Sequence, residues 1–206
     1  MKSQICVCFL ALLATLGIVN ITSAQSNSEF QYEDTFDELD PSWGEPNQTY
    51  FVQDGVLVLK LDPGWSSWPI NQGMIFEDAD ISVRTRQVTG KNFMQAVGLI
   101  FWAESPENFY VFATNRENAF VVIRRVKDKW LTPVTWRASD ALKKGLDEWN
   151  ELRVVTKGNR ATIYINDNEI LSLKGQPPAG GSFIGMFAGS PEDEAITYEF
   201  DDLRVK

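Results

Sequence analysis

The sequence predicts an all-β protein, an antiparallel two-sheet sandwich of the jelly-roll type. Apolar and polar side chains alternate along several short runs, for example residues 81–86 and 161–166, and this period of two is typical of strands with one buried face. Turn sequences such as Asp54-Gly55 and Lys157-Gly158-Asn159 separate the runs. Two packed antiparallel sheets bury the apolar faces of many short strands joined by short turns.

About a dozen strands are expected from this pattern. The clearest runs, in chain order, are 56–61, 81–86, 93–102, 108–114, 119–126, 149–156, 161–166, 169–173, 183–188 and 196–205. Only residues 139–144 favour a helix, of one or two turns, with Ser139 as its N-cap. In the last run the apolar phase reverses after Phe200, which predicts a bulge at Asp201-Asp202.

Residues 1–24 have the pattern of a secretory signal peptide. Lys2 precedes an apolar stretch over 5–19, and small residues at 22–24 form a cleavage site; a retained membrane anchor is the alternative. Cleavage would leave residues 25–206 as a single domain, secreted or periplasmic and not inserted in a membrane.

The residue types present exclude several kinds of chemistry. The chain has no histidine, and its two cysteines, Cys6 and Cys8, lie within the predicted signal peptide. Cysteine nucleophiles, Ser-His-Asp triads and ordinary zinc or copper sites each need one of these groups. The net charge of −9 also argues against nucleic acid and anionic membranes as partners, whereas glycans and hard cations are compatible with it.

An ordered set of short strings gives the sequence a family resemblance. The strings are EDTFD at 33–37 followed by Trp43, DGVL at 54–57, GLIF at 98–101, NFY at 108–110, WNEL at 149–152, IYIN at 163–166 and FDDLRV at 200–205. In this order they resemble the concanavalin A-like lectin/glucanase superfamily, and within it the laminin-G-like and carbohydrate-binding modules. The resemblance implies a bent sandwich that often binds sugars on its concave face or loop edge, and sometimes a calcium ion at its rim.

Tryptophans provide the first candidates for ligand binding. Trp65 and Trp68 lie in a loop rich in Pro, Gly and Ser, where exposed indole rings could stack on sugar rings; alternatively, they fold back and close one end of the sandwich. If Leu99 and Phe101 point into the core, strand alternation places Trp102 on the outer surface of its sheet.

Further candidates surround these rings. Tyr110 is expected to neighbour Trp102, while Arg84, Arg86 and Arg124 could donate hydrogen bonds to hydroxyl or carboxylate groups; ordinary surface ion pairs are the alternative. Trp130 and Trp136 lie on either side of Pro133, in a predicted loop that could line the rim of the sandwich. Trp43 and Trp149 are assigned to packing. A non-catalytic carbohydrate-binding domain is therefore the expected function.

The acidic residues give weaker evidence for catalysis. Glycoside hydrolysis usually needs two facing carboxylates, and the E-x-D-x-x-E string of the superfamily's glucanases does not occur in this sequence. Glu104 and Glu107 are the weak catalytic candidates, so no glycosidase activity is expected. A glycoside hydrolase of the same fold and a laminin-G-like domain that recognises protein remain the two alternatives.

A structural calcium ion is the one cofactor considered. Calcium takes six to eight oxygen ligands, and the family resemblance places a rim site at Asp34 or Glu33 together with Asp202. The alternative is that Asp202 is simply a polar residue at the predicted bulge. The sugar and the oligomeric state do not follow from the sequence.

Overall fold

The computed structural model describes residues 29–92, 94–127 and 129–206, so the predicted signal peptide lies outside the described residues. The described residues form fifteen strands and one short 3₁₀ helix, Pro41–Trp43. The strands are β1 (Tyr32–Asp34), β2 (Tyr50–Gln53), β3 (Val56–Leu61), β4 (Ser66–Ser67), β5 (Ile70–Phe76), β6 (Asp80–Gln87), β7 (Val97–Ser105), β8 (Asn108–Thr114), β9 (Ala119–Val126), β10 (Lys129–Ala138), β11 (Asn150–Lys157), β12 (Arg160–Ile165), β13 (Asn168–Lys174), β14 (Ser182–Gly189) and β15 (Ile196–Val205). No helix of the described residues is long and apolar enough to cross a membrane.

The strands form two antiparallel sheets, as predicted. The eight-stranded sheet has the order β13-β12-β11-β6-β15-β3-β2, and β1 also pairs with β15. The seven-stranded sheet has the order β10-β9-β8-β7-β14-β4, and β5 also pairs with β14. Strands that are far apart in the sequence, such as β3 and β15, are neighbours in one sheet because the chain crosses repeatedly between the two sheets.

The main core lies between the sheets and follows directly from strand alternation. Val83 of β6 is paired with Leu152 of β11, and both side chains are fully buried. The seven-stranded sheet contributes buried side chains such as Leu99, Phe101 and Phe112 to the same cluster. Alternating neighbours on this sheet point the other way and form a second, smaller apolar cluster on its outer face.

Several segments differ from the sequence prediction. The strands β1, β2, β4 and β5 were not among the predicted runs. The residues around Pro133 form strand β10 instead of a loop, at the edge of the seven-stranded sheet, and its pairing with β9 shifts register between Leu131 and Val134 and again between Val134 and Arg137. Residues 139–144 form turns instead of a helix, because one or two turns gain too few hydrogen bonds to offset the cost of nucleation.

The predicted bulge in the last strand is confirmed. The pairing of β15 with β6 shifts register between Asp201 and Arg204, and Asp202 has a φ of 52°. The extra residues explain why Phe200 and Leu203 both face the core although they are three positions apart.

Candidate functional site

A cleft of about 220 Å³ opens where β7 ends, β8 begins and β9 ends. Antiparallel pairing brings these three strand ends to the same edge of the seven-stranded sheet. Three strands and the segment after β13 supply the lining residues: Trp102 and Glu104 from β7, Asn108, Phe109 and Tyr110 from β8, Arg124 and Arg125 from β9, and Gln176, Pro177 and Pro178. We call this the Trp102 cleft.

Trp102 occupies an unexpected position in the cleft. It has a φ of 49°, and the β7–β8 register shifts between Phe101 and Ser105. This irregularity turns the indole toward the core side, where it is only 3% exposed and packs against Phe101 and Tyr110 with ring centroids 5.2 and 5.3 Å away. The prediction that Trp102 projects from the outer surface is therefore wrong, because simple alternation does not continue through a bulge.

The segment after β13 approaches the Trp102 ring closely. A Cβ atom placed on Gly175 would lie 2.3 Å from Cζ3 of Trp102, so only glycine allows this approach. The indole Nε1 of Trp102 is buried, and it has no hydrogen-bond partner among the described residues. A buried donor without an acceptor costs free energy.

Hydrogen bonds hold the polar side chains of the cleft. The Tyr110 hydroxyl accepts a 3.1 Å bond from the Gln176 backbone N–H, and Arg124 Nη1 donates a 2.6 Å bond to Gln176 Oε1. The Arg124 guanidinium also lies 4.9 Å from the Tyr110 ring centroid. On the same edge, Asn108 Oδ1 accepts a bond from the Lys127 N–H. These contacts fix the cleft before any ligand binds.

A second cavity, of about 320 Å³, adjoins the Trp102 cleft. The two share Trp102, Pro177 and Pro178, and the second is also lined by Glu77 and Asp78. Trp102 and the two prolines thus lie between two hollows.

Next to the cleft, four aromatic side chains form what we call the aromatic shelf: Trp68, Phe109, Trp130 and Phe187. Trp130 is the centre of the shelf, with centroids 6.1 Å from Trp68, 5.8 Å from Phe109 and 5.9 Å from Phe187. Trp130 is 42% exposed and Trp68 is partly exposed. The Arg125 guanidinium lies 4.6 Å from the Trp68 ring and 5.3 Å from the Trp130 ring.

The cleft and the shelf are continuous, because Phe109 belongs to both and because Arg125, which lines the cleft, lies over the Trp68 ring of the shelf. They bring together several predicted residues, namely Trp68, Trp102, Glu104, Tyr110 and Arg124. Sequence reasoning missed Asn108, Phe109, Arg125 and Gln176. The available indication was the Arg124-Arg125 pair near the end of the predicted strand 119–126.

Other predicted binding residues lie elsewhere. Trp65 is 63% exposed and lines a separate cavity of about 520 Å³ together with Phe51 and Lys60. Trp136 is 45% exposed on β10. Glu107 lies in the turn between β7 and β8, where its N–H donates to Ser105 Oγ.

Arg84 and Arg86 belong to β6 of the eight-stranded sheet, not to the sheet that forms the cleft. Arg84 pairs with Asp202 at 3.0 Å and Arg86 with Glu199 at 2.6 Å. Both guanidinium groups also lie within 5 Å of the Trp149 ring. Trp149 is partly buried and packs against these two side chains, whereas Trp43 is 4% exposed and belongs to the main core, which confirms its assignment to packing.

The predicted calcium ligands are engaged with protein donors. Asp34 accepts hydrogen bonds from the Phe36 N–H, from Trp43 Nε1 and from the Tyr32 hydroxyl. Arg204 donates to both Glu33 and Asp202. Among the described residues, no group of three or more acidic, histidine or cysteine side chains could hold a metal ion. Calcium binding stays an untested prediction.

Three solved structures resemble the chain in fold. The first is a CBM66 carbohydrate-binding module from Bacillus subtilis, with a TM-score of 0.64 and 12% sequence identity, and the match covers 86% of this chain and 97% of that one. The second is a β-glucanase from Bacillus licheniformis, with a TM-score of 0.61 and 7% identity, and the match covers 85% of this chain and 97% of that one. The third is the GH43 protein BlXynB from Bacillus licheniformis, with a TM-score of 0.64 and 15% identity, and the match covers 85% of this chain and 39% of that one. No protein-family model matches the sequence, and no curated protein is significantly similar to it.

Proposed function

We propose that this chain, a β-sandwich of the concanavalin A-like fold, is an exported carbohydrate-binding domain that holds a glycan at the Trp102 cleft and the aromatic shelf. The observation that carries the proposal is the continuity of the two features: the Trp68 ring, which is partly exposed, and the Trp130 ring, which is 42% exposed, adjoin a cleft with fixed polar groups. Indole rings stack on the apolar faces of sugars, and the polar groups would bind the hydroxyls. The fold is shared with a carbohydrate-binding module, which supports the same class of function.

A hydrolase of the same fold is the second candidate, because Glu104 lines the cleft and one similar structure is a β-glucanase. A glycosidase usually needs two carboxyl groups on either side of the scissile bond. Among the described residues that line the Trp102 cleft, Glu104 is the only acid. Glu77 and Asp78 line the adjoining cavity, but no second acid lines the cleft itself among the described residues. Binding without hydrolysis is therefore the better supported activity.

A glycan array paired with a reducing-sugar assay tests both candidates. Stacking contributes roughly 0.5–1.5 kcal/mol per ring beyond area burial, so Trp68→Ala and Trp130→Ala should each weaken binding roughly two- to tenfold. Trp65→Ala and Trp136→Ala are matched controls, since both remove an exposed tryptophan outside the site. Equal losses in all four variants would refute this location, and sugar release that disappears in Glu104→Gln would favour the hydrolase.

A further inference from the structure

The Trp65 indole is exposed on a turn whose backbone is held firmly. Pro63 and Gly64, which has a φ of 77°, are the central residues of this turn, and the Trp65 N–H donates a 3.2 Å bond to the Asp62 carbonyl. Ser190 fastens the turn to the rest of the protein, because its Oγ accepts a 3.1 Å bond from the Trp65 N–H and its own N–H donates a 2.8 Å bond to the Trp65 carbonyl. The backbone of Trp65 is therefore fixed, while its ring remains 63% exposed.

The ring faces a cavity of about 520 Å³, which we call the Trp65 cavity. Ligand sites for small molecules usually have volumes of about 300–1,000 Å³. Strand β2, strand β3 and the turn supply its lining residues: Gln48, Thr49, Phe51, Lys60, Asp62 and Trp65. Within the described part of the chain, no hydrogen bond or ion pair engages the side chains of Gln48, Thr49, Lys60 or Asp62. These polar groups are therefore available to a ligand.

The Trp65 cavity lies on a different face of the sandwich from the aromatic shelf. Lys60 stands between the buried residues Leu59 and Leu61 of β3, so its side chain points to the outer face of the eight-stranded sheet. Trp68 instead packs against Phe109, in the apolar cluster on the outer face of the seven-stranded sheet. No described residue lines both the Trp65 cavity and the Trp102 cleft. A ligand held at one surface leaves the other surface free.

The chemistry of the cavity suits a neutral ligand that carries hydroxyl groups. The indole offers a flat apolar face on which a sugar ring can stack. Lys60 donates hydrogen bonds, Asp62 accepts them, and Gln48 and Thr49 can do both, which matches hydroxyl groups that both donate and accept. The cavity is lined by one cation and one carboxylate, so it favours neither an anionic nor a cationic ligand.

From these observations we infer that the Trp65 cavity is a second glycan-binding site, independent of the Trp102 cleft, and that its ligand is a neutral oligosaccharide segment. The inference goes beyond the proposed function, because it uses neither the cleft nor the shelf. Two sites on different faces make the protein bivalent. It can therefore hold two polysaccharide chains, or two segments of one chain, at the same time.

Calorimetric titration with cellohexaose, xylohexaose and laminarihexaose tests the second site. We expect two molecules of at least one hexasaccharide to bind per protein. Trp65→Ala should weaken one of the two binding events about tenfold, because the stacking ring is lost, and should leave the other unchanged. Trp68→Ala/Trp130→Ala should weaken the other event. Since Trp65 does not contribute to the Trp102 cleft, Trp65→Ala remains a valid control for affinity there.

Trp136→Ala is the matched control, because it removes an exposed tryptophan outside both sites. Melting temperatures verify that each variant is folded. A single binding event that Trp65→Ala does not change would overturn the second site and leave the proposed function standing. A single event that only Trp65→Ala weakens would support the second site and overturn the location at the Trp102 cleft. Equal weakening in Trp136→Ala would contradict the assigned position, and no binding of any hexasaccharide would overturn both proposals.

Bridging of long chains tests bivalency directly. The parent protein, mixed with the soluble polysaccharide whose hexasaccharide binds, should produce turbidity that clears when the hexasaccharide is added in excess. Trp65→Ala should still bind the polysaccharide but should produce no turbidity. Turbidity that persists unchanged in Trp65→Ala would show that the bridging has another source and would overturn the bivalent arrangement.

Discussion

The indole Nε1 of Trp43 donates a 2.8 Å hydrogen bond to Oδ2 of Asp34, and both side chains are at least nine-tenths buried. The bond joins the 3₁₀ helix to β1, which pairs with the last strand, β15. Asp34 Oδ1 accepts from the Phe36 N–H, so this one carboxylate fixes the N-terminal edge of the described fold.

Trp43→Phe should lower the free energy of unfolding by about 1–3 kcal/mol, because a buried carboxylate oxygen loses a donor. Urea unfolding measures the change. Trp136→Phe is the control, since this exposed residue on β10 should change stability by no more than about 0.5 kcal/mol. Equal stability of Trp43→Phe and the parent would show that the bond is not important.

Calcium should leave the melting temperature unchanged. Donors already occupy both oxygens of Asp34, and Arg204 donates to both Glu33 and Asp202, so an ion would have to displace several hydrogen bonds. Thermal unfolding in excess calcium and in excess chelator measures this. A higher melting temperature in calcium would demonstrate binding to the folded state and restore the predicted rim site.

Asp201 should make stability depend on pH. Burial raises the pKa of Asp201, so folding makes this carboxyl hold its proton more tightly. The contribution of Asp201 to the free energy of unfolding is therefore fully present below about pH 3.9, the pKa of an aspartate in the unfolded chain. It is lost as the pH rises through the higher pKa that Asp201 has in the folded protein. Asp201→Asn should remove this loss and still accept the bond from the Asp202 N–H.

Unfolding free energies measured from mildly acidic to neutral pH test this expectation. The Asp201→Asn variant should gain stability relative to the parent as the pH rises. Asp193→Asn, in an exposed turn, serves as the control. If the unfolding free energies of Asp201→Asn and the parent differ by the same amount at every pH, Asp201 does not cause the pH dependence of stability.

Gly175→Ala should disturb the Trp102 cleft. The added methyl would lie 2.3 Å from Cζ3 of Trp102, so the ring or the segment after β13 must move. We expect weaker glycan binding together with a loss of stability of about 1–3 kcal/mol, typical of overpacking. Gly189→Ala is a matched control, because its nearest neighbour would lie at an ordinary 3.4 Å. Unchanged binding in Gly175→Ala would remove Trp102 from the proposed site.

The sequence predicts strands well where one face of the strand is buried and the other is polar. β6 and β12 show this alternation and were recognised, and the bulge in β15 was visible because the apolar phase reverses. β10 was missed because nine of its ten residues are exposed and Pro133 interrupts it. Without a buried face a strand has no period of two to detect.

The candidate site was harder to predict than the fold. Trp102, Tyr110 and Arg124 were chosen correctly as neighbours, since hairpin pairing follows from the strand order. The direction of Trp102 was not predictable, because it depends on a φ of 49° within a bulge. Gln176 reaches the cleft from a segment far away in the chain, and no local pattern indicates such a contact.

The two register shifts along β10 affect how the protein meets other chains. A regular edge strand presents evenly spaced N–H and C=O groups on which a foreign strand can be added. In β10 the bulges break that spacing, and Pro133 has no N–H to offer. The edge strand can therefore expose Trp130 and Trp136 to solvent without acting as a template for edge-to-edge aggregation.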